Sequence, residues 1–231
     1  MVRAGSGPAY HFKRQLKGRI FERLARKYLA EFLGGGYVLQ GKQLYERPVG
    51  LILRGFAVDD SSFDASRFTV HVFAQPLYIP DTNLVFSIGR RLGQLDGGQE
   101  KWWTLTPDDE AAIFAEIAAD MREAAGRFVQ RCRTPGDLAD FIPRVCSDGY
   151  FYAEEAMASS CILADRLDEA RRHLDRLRSI MSKPTYDWER VVLARAERLA
   201  STLARDPDEA KRLLRGWAAE TARALRVEEA D

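Results

Sequence analysis

Five extended runs follow one another between residues 37 and 89, and the linkers between them are too short to hold a helix. That spacing constrains the fold more than any other feature of the chain. Parallel neighbours need a crossover of roughly a dozen residues or more, so these runs are predicted to form an antiparallel sheet of about five strands. Residues 37–40 and 43–47 flank Gly41-Lys42, which suits a tight hairpin turn. Residues 50–58 end at Asp59-Asp60-Ser61-Ser62, residues 68–75 end at Pro76, and residues 84–89 precede Arg90-Arg91. Within 68–75, Phe68, Val70, Val72 and Ala74 alternate with Thr69, His71, Phe73 and Gln75, a period of two that predicts a sheet with one apolar face.

Helical periodicity flanks this region on both sides. Phe12, Leu16, Ile20, Leu24 and Tyr28 recur at four-residue spacing, and Leu29, Phe32 and Leu33 widen the stripe until Gly34-Gly35-Gly36 stops it. Thr106-Pro107-Asp108-Asp109 has the composition of a helix start: a capping hydroxyl, proline in the first turn and acids against the helix dipole. Thr134-Pro135-Gly136-Asp137 repeats the device and predicts a short helix closed by Pro143. The chain then reads as helical to its end. One repeat is visible there: residues 165–174 realign with 205–214, which places Ala170 and Ala210 where two helices approach closely. The fold class is therefore α+β, with a Gly/Ala/Ser/Pro-rich tail over 1–10, an α+β domain over 11–145 and a helical-hairpin region over 146–231.

Reactive chemistry is scarce. The chain contains none of the glycine-rich phosphate loops, serine-nucleophile elbows or paired-histidine zinc motifs that announce an enzyme. It has three histidines: His11 in a basic helix, His173 on a predicted polar helix face and His71 in mid-strand. The three cysteines are odd in number and form no C-x-x-C pair, so they are expected to be buried free thiols. No metal site and no cofactor is predicted. No run approaches the ~20 apolar residues of a membrane span and none resembles a signal peptide, so the expected setting is the cytosol without a membrane partner.

Two surfaces remain as candidates for recognition. A net charge of +1 disfavours a general polyanion binder and leaves only the distribution of charge to consider. Between His11 and Lys27 stand seven bases and one acid, and Lys13, Arg14 and Lys17 would carry sequence-independent nucleic-acid binding if this face is used. The second candidate is a rim made by Arg90 and Arg91 at a strand end with Trp102-Trp103, and Tyr78 is expected on the same rim. Arginine and aromatic side chains dominate interface energies, which points to another protein as partner. Adjacent tryptophans on an extended chain face opposite ways, so the pair cannot both close a core.

The strings Gly36-Tyr37, Gln43-Leu44-Tyr45-Glu46-Arg47, Phe68 through Pro80 and Ser87-Ile88-Gly89-Arg90-Arg91-Leu92 resemble an uncharacterised bacterial α+β domain family of unknown function, over residues of about 20–142. The 40-residue repeat resembles tetratricopeptide-type hairpins as a class, although that motif's period is shorter. The resemblance implies no activity. It leans toward a bacterial binding protein of immunity or adaptor kind, with nucleic-acid binding as the alternative and an enzyme of unfamiliar type as the third reading.

Overall fold

The computed structural model describes residues 16–64, 66–95, 97–106 and 108–227. Gly41 takes a φ of +58°, as the hairpin turn demands, and joins β1 (Tyr37–Gln40) to β2 (Gln43–Glu46). β3 (Ile52–Asp60) and β4 (Arg67–Pro76) form the long central pair, and β5 (Gly89–Arg91) and β6 (Trp103–Thr104) both pair with β4. Every pairing is antiparallel, as the short linkers require.

Gly55 is fixed by this pairing. A Cβ on it would lie 2.1 Å from the Leu44 carbonyl oxygen across the β2–β3 ladder, so only glycine allows that close approach.

The sheet departs from the expected single apolar face. Thr69, Phe73 and Gln75 are buried like the alternating Phe68, Val70, Val72 and Ala74. Their polar atoms are satisfied: Thr69 donates to the Lys101 carbonyl at 2.8 Å, and Gln75 accepts from Val85 N at 3.0 Å and donates to the Asn83 carbonyl at 3.1 Å. The Gln75 amide thus supplies the bonds that a neighbouring strand would make. For that reason the expected strand over 84–89 shrinks to Gly89–Arg91.

On the opposite face lie α1 (Gly18–Tyr28), α2 (Ala30–Gly34) and α3 (Glu110–Arg127). Phe32 meets Phe56 at 6.1 Å between ring centres, and Phe21 and Tyr28 meet Phe114. The expected single helix is broken at Leu29, whose φ and ψ of −111° and 25° are not helical. Thr106 does not cap α3: its hydroxyl donates to Asp109, which occupies the cap position itself. Pro107 lies outside the described residues, as do the expected 1–10 tail and His11.

Thr134 caps α4 (Pro135–Val145) as predicted, and Asp137 returns the bond to complete a reciprocal box, but Pro143 sits inside that helix instead of ending it. Then α5 (Phe151–Leu163), α6 (Leu167–Ile180), α7 (Asp187–Arg205) and α8 (Pro207–Leu225) pack in a ring, α5 against α6 and α8, and α7 against both α6 and α8. The repeat is structural: Ala170 and Ala210 are both fully buried near the start of α6 and α8. α5 is hidden on nearly every side and carries two buried acids that point apart. Glu154 meets His173 Nδ1 of α6 at 2.6 Å, and Glu155 takes a two-pronged ion pair from Arg195 of α7 at 2.8 and 2.9 Å. His173 is therefore an interior residue and not part of a polar face. One hydrophobic core runs through sheet and helices alike. Tyr78 links the two halves through a 2.6 Å bond between its hydroxyl and that of Ser160.

Candidate functional site

β5 separates two sites because successive side chains on a strand point to opposite faces. Arg91 pairs with His71 across the ladder and Arg90 pairs with Val72, so the two guanidinium groups leave the sheet on different sides.

On the Arg91 side the end of β3, the loop after it and the approach to β6 enclose a cavity of about 480 Å3. Trp102 stands in it between two cations, with the Arg91 guanidinium 5.0 Å and that of Arg67 5.5 Å from its ring centre. Trp102 Nε1 donates to Glu100 at 2.8 Å, and Arg91 Nη1 donates to the other oxygen of the same carboxylate. Those two bonds, Trp102 first, hold the Glu100 carboxyl below its ordinary range. Residues 61–64 and 66 brace one another: Ser61 Oγ accepts from Phe63 N and Asp64 N, and Asp64 Oδ1 accepts from the amide and hydroxyl of Ser66. This bracing presents Phe63 with its side chain 100% exposed at the cavity wall.

His71 borders this cluster. Its ring stacks on Phe86 at 4.7 Å, its Nε2 lies 3.5 Å from Asp59, and Arg91 Nε donates to the same nitrogen at 3.4 Å. Burial lowers its pKa from the ordinary 6.5, and Arg91 acts the same way, against the pull of Asp59. A ring nitrogen that accepts from arginine belongs to a neutral imidazole. The thiols are likewise poor nucleophiles, since burial pushes Cys132 up to about 12 and Cys161 to about 11. Among the described residues no group of three or more His, Cys, Asp or Glu converges as metal ligands, and no helix is long and apolar enough to cross a membrane.

The expected rim is only partly assembled. Arg91 and Trp102 meet there. Trp103 faces the other way, 6% exposed, packed on Phe68 and donating to Glu116 at 3.1 Å. Tyr78 is fully buried beneath α5, so its place on a rim is corrected to a bond between the two halves. Arg90 opens into a separate cavity with Arg127, Arg131 and Arg144. For the basic-helix alternative, Lys13 and Arg14 lie outside the described residues. Lys17 is exposed at the start of α1; farther along that helix Arg23 pairs with Glu110, and in its last turn Lys27 lies over Tyr28.

Sequence reasoning missed Arg67, Glu100 and Phe63. The serine- and aspartate-rich loop around Phe63 was a readable signal, since an aromatic placed among turn residues has no core to enter. It missed a second exposed group as well. Tyr186 and Trp188 stack with their planes 8° apart, and Trp188 also meets Phe151 at 5.0 Å. Comparison with protein-family models, with curated proteins and with solved structures gives no match.

Proposed function

We propose that this chain is a non-catalytic binding protein that recognises another protein through the cavity between Phe63 and Trp102. The observation that carries this reading is a fully exposed phenylalanine on an internally braced loop, beside a tryptophan held between two arginines. A rigid aromatic anchor binds with little loss of conformational entropy, and tryptophan and arginine dominate measured interface energies. Asp59 and Glu100 set carboxylate charge beside this anchor, which suits a partner that inserts an apolar side chain flanked by a basic one. An immunity or adaptor role fits this description, and so does any obligate inhibitor. The neutral, ring-stacked His71 and the high thiol pKa values favour binding over catalysis.

The test is photo-crosslinking from position 63 in cells of the source organism, repeated with Trp102→Ala. The expected result is one discrete adduct that disappears in the variant. An adduct pattern that Trp102→Ala leaves unchanged, or none at all, overturns the proposal.

A further inference from the structure

The cavity on the Arg90 side of β5 is separate from the proposed protein-binding surface and has a different charge. It measures about 580 Å3, and its described walls carry four arginines and no acid. Arg90 comes from β5, Arg127 from the last turn of α3, Arg131 from the 3-10 turn over Val129–Arg131 and Arg144 from the last turn of α4. Four elements thus deliver like charges to one space in a chain whose net charge is only +1. Single-sign clefts with low-dielectric walls focus their field and gather counter-ions.

The usual alternative is a cation at a helix C-terminus, placed there to offset the dipole. That accounts for each arginine singly but not for their convergence. Elsewhere the arginines find carboxylates: Arg54 with Glu46, Arg166 with Asp140 and Glu169, Arg195 with Glu155. Arg127 too is held, by Glu123 at 3.1 Å. Among the described residues the Arg131 and Arg144 side chains have no such acceptor. A smaller cavity that Arg131 and Arg144 also line contains Asp137 and Asp140, and each of these carboxylates already has one oxygen bonded elsewhere. Asp137 is engaged in the α4 capping box, and Asp140 accepts from Arg166 at 2.6 Å.

We infer that this cleft binds a small molecule carrying one or more phosphate groups. The volume falls within the ordinary range for small-ligand sites, about 300–1,000 Å3, which favours a compact ligand over a nucleic-acid strand tracking a groove. All four cations are arginine and none is lysine. The planar guanidinium fork matches phosphate oxygens two at a time, and several forks from different directions suit a polyanion better than a single carboxylate. Phe141 and Gln94 on the same walls offer an apolar face and an amide to whatever the phosphate is attached to.

The test is calorimetric titration of the full chain with pyrophosphate and with ATP. Citrate serves as the carboxylate control and a short DNA duplex as the nucleic-acid control. The variants are Arg131→Ala with Arg144→Ala, Arg90→Ala alone, and exposed Arg215→Ala as the reference. Loss of charge-assisted bonds should weaken pyrophosphate binding by about tenfold or more in the double variant and measurably in Arg90→Ala. Arg215→Ala should leave it unchanged. No heat with either phosphate ligand at millimolar concentration overturns the inference, and so does equal weakening by Arg215→Ala. Citrate bound as tightly as pyrophosphate, or duplex bound in place of both, overturns the assignment to small phosphates. Phosphate binding that survives in the crosslinking-negative Trp102→Ala protein would show the two sites to be independent.

Discussion

Arg90 and Arg91 are neighbours in sequence and opposites in circumstance. Arg91 is matched inside the molecule: Glu100 accepts a hydrogen bond from it, Trp102 covers its face and His71 and Asp59 border it. Arg90 bonds only to its neighbour's carbonyl among the described residues and opens on a cleft that three more arginines share. The pleat of one short strand therefore sends the same side chain into a finished network and into an unfinished one. A network that is complete within the chain works as a shaped surface, whereas a set of like charges needs something from outside.

That contrast can be sharpened by removing charges in graded environments. The largest effect is expected deep in the bundle. Arg195→Ala strands Glu155, whose burial already raises its pKa against the pull of Arg195, and should cost about 3 kcal/mol or more in denaturant unfolding. Gly55→Ala follows closely. Its methyl group would meet the Leu44 carbonyl at 2.1 Å, so the β2–β3 ladder must shift at a cost of about 2–3 kcal/mol. A Gly55→Ala protein as stable as the wild type would mean that β2 yields easily and the sheet is not the rigid platform described. Arg91→Ala removes a cation–π contact at a half-exposed site and should cost about 0.5–1 kcal/mol while loosening Trp102, readable in its fluorescence. Arg131→Ala with Arg144→Ala breaks no ion pair among the described residues and should change stability by no more than about 0.5 kcal/mol. A large loss there would make these arginines structural and erase the contrast.

Acid offers the smallest and most selective probe. Burial keeps His71 below 6.5 in the folded protein, so the unfolded chain takes up the proton first as pH falls. Stability should decline from about pH 6.5 down to the lowered folded-state pKa, and His71→Gln should remove that component of the slope. An unchanged slope would place the imidazole in water and not against Phe86.

Much of the fold was legible. The antiparallel sheet followed from linker length, the Thr134 cap from its own four residues, and the close packing at Ala170 and Ala210 from the repeat. The opposite facing of Trp102 and Trp103 followed from backbone alternation. The failures share a cause. Tyr78 and His173 read as surface residues because their partners, Ser160 and Glu154, lie on α5, a separate helix whose polar residues gave no hint that they would be enclosed. Gln75 read as a solvent-facing strand residue because its role as a substitute strand depends on where residues 83–85 come to rest.

The chain by itself determined which segments are extended, which are helical and how consecutive strands must run, because those depend on bond geometry, side-chain period and linker length. Only the tertiary structure decided which charges are spent and which are left over. Arg131 and Arg144 each look like an ordinary cation in a last helical turn, and nothing local tells them from Arg205. Their common property is a direction in space, set when α3, α4 and β5 pack around one cavity, and electrostatic meaning lies in that convergence.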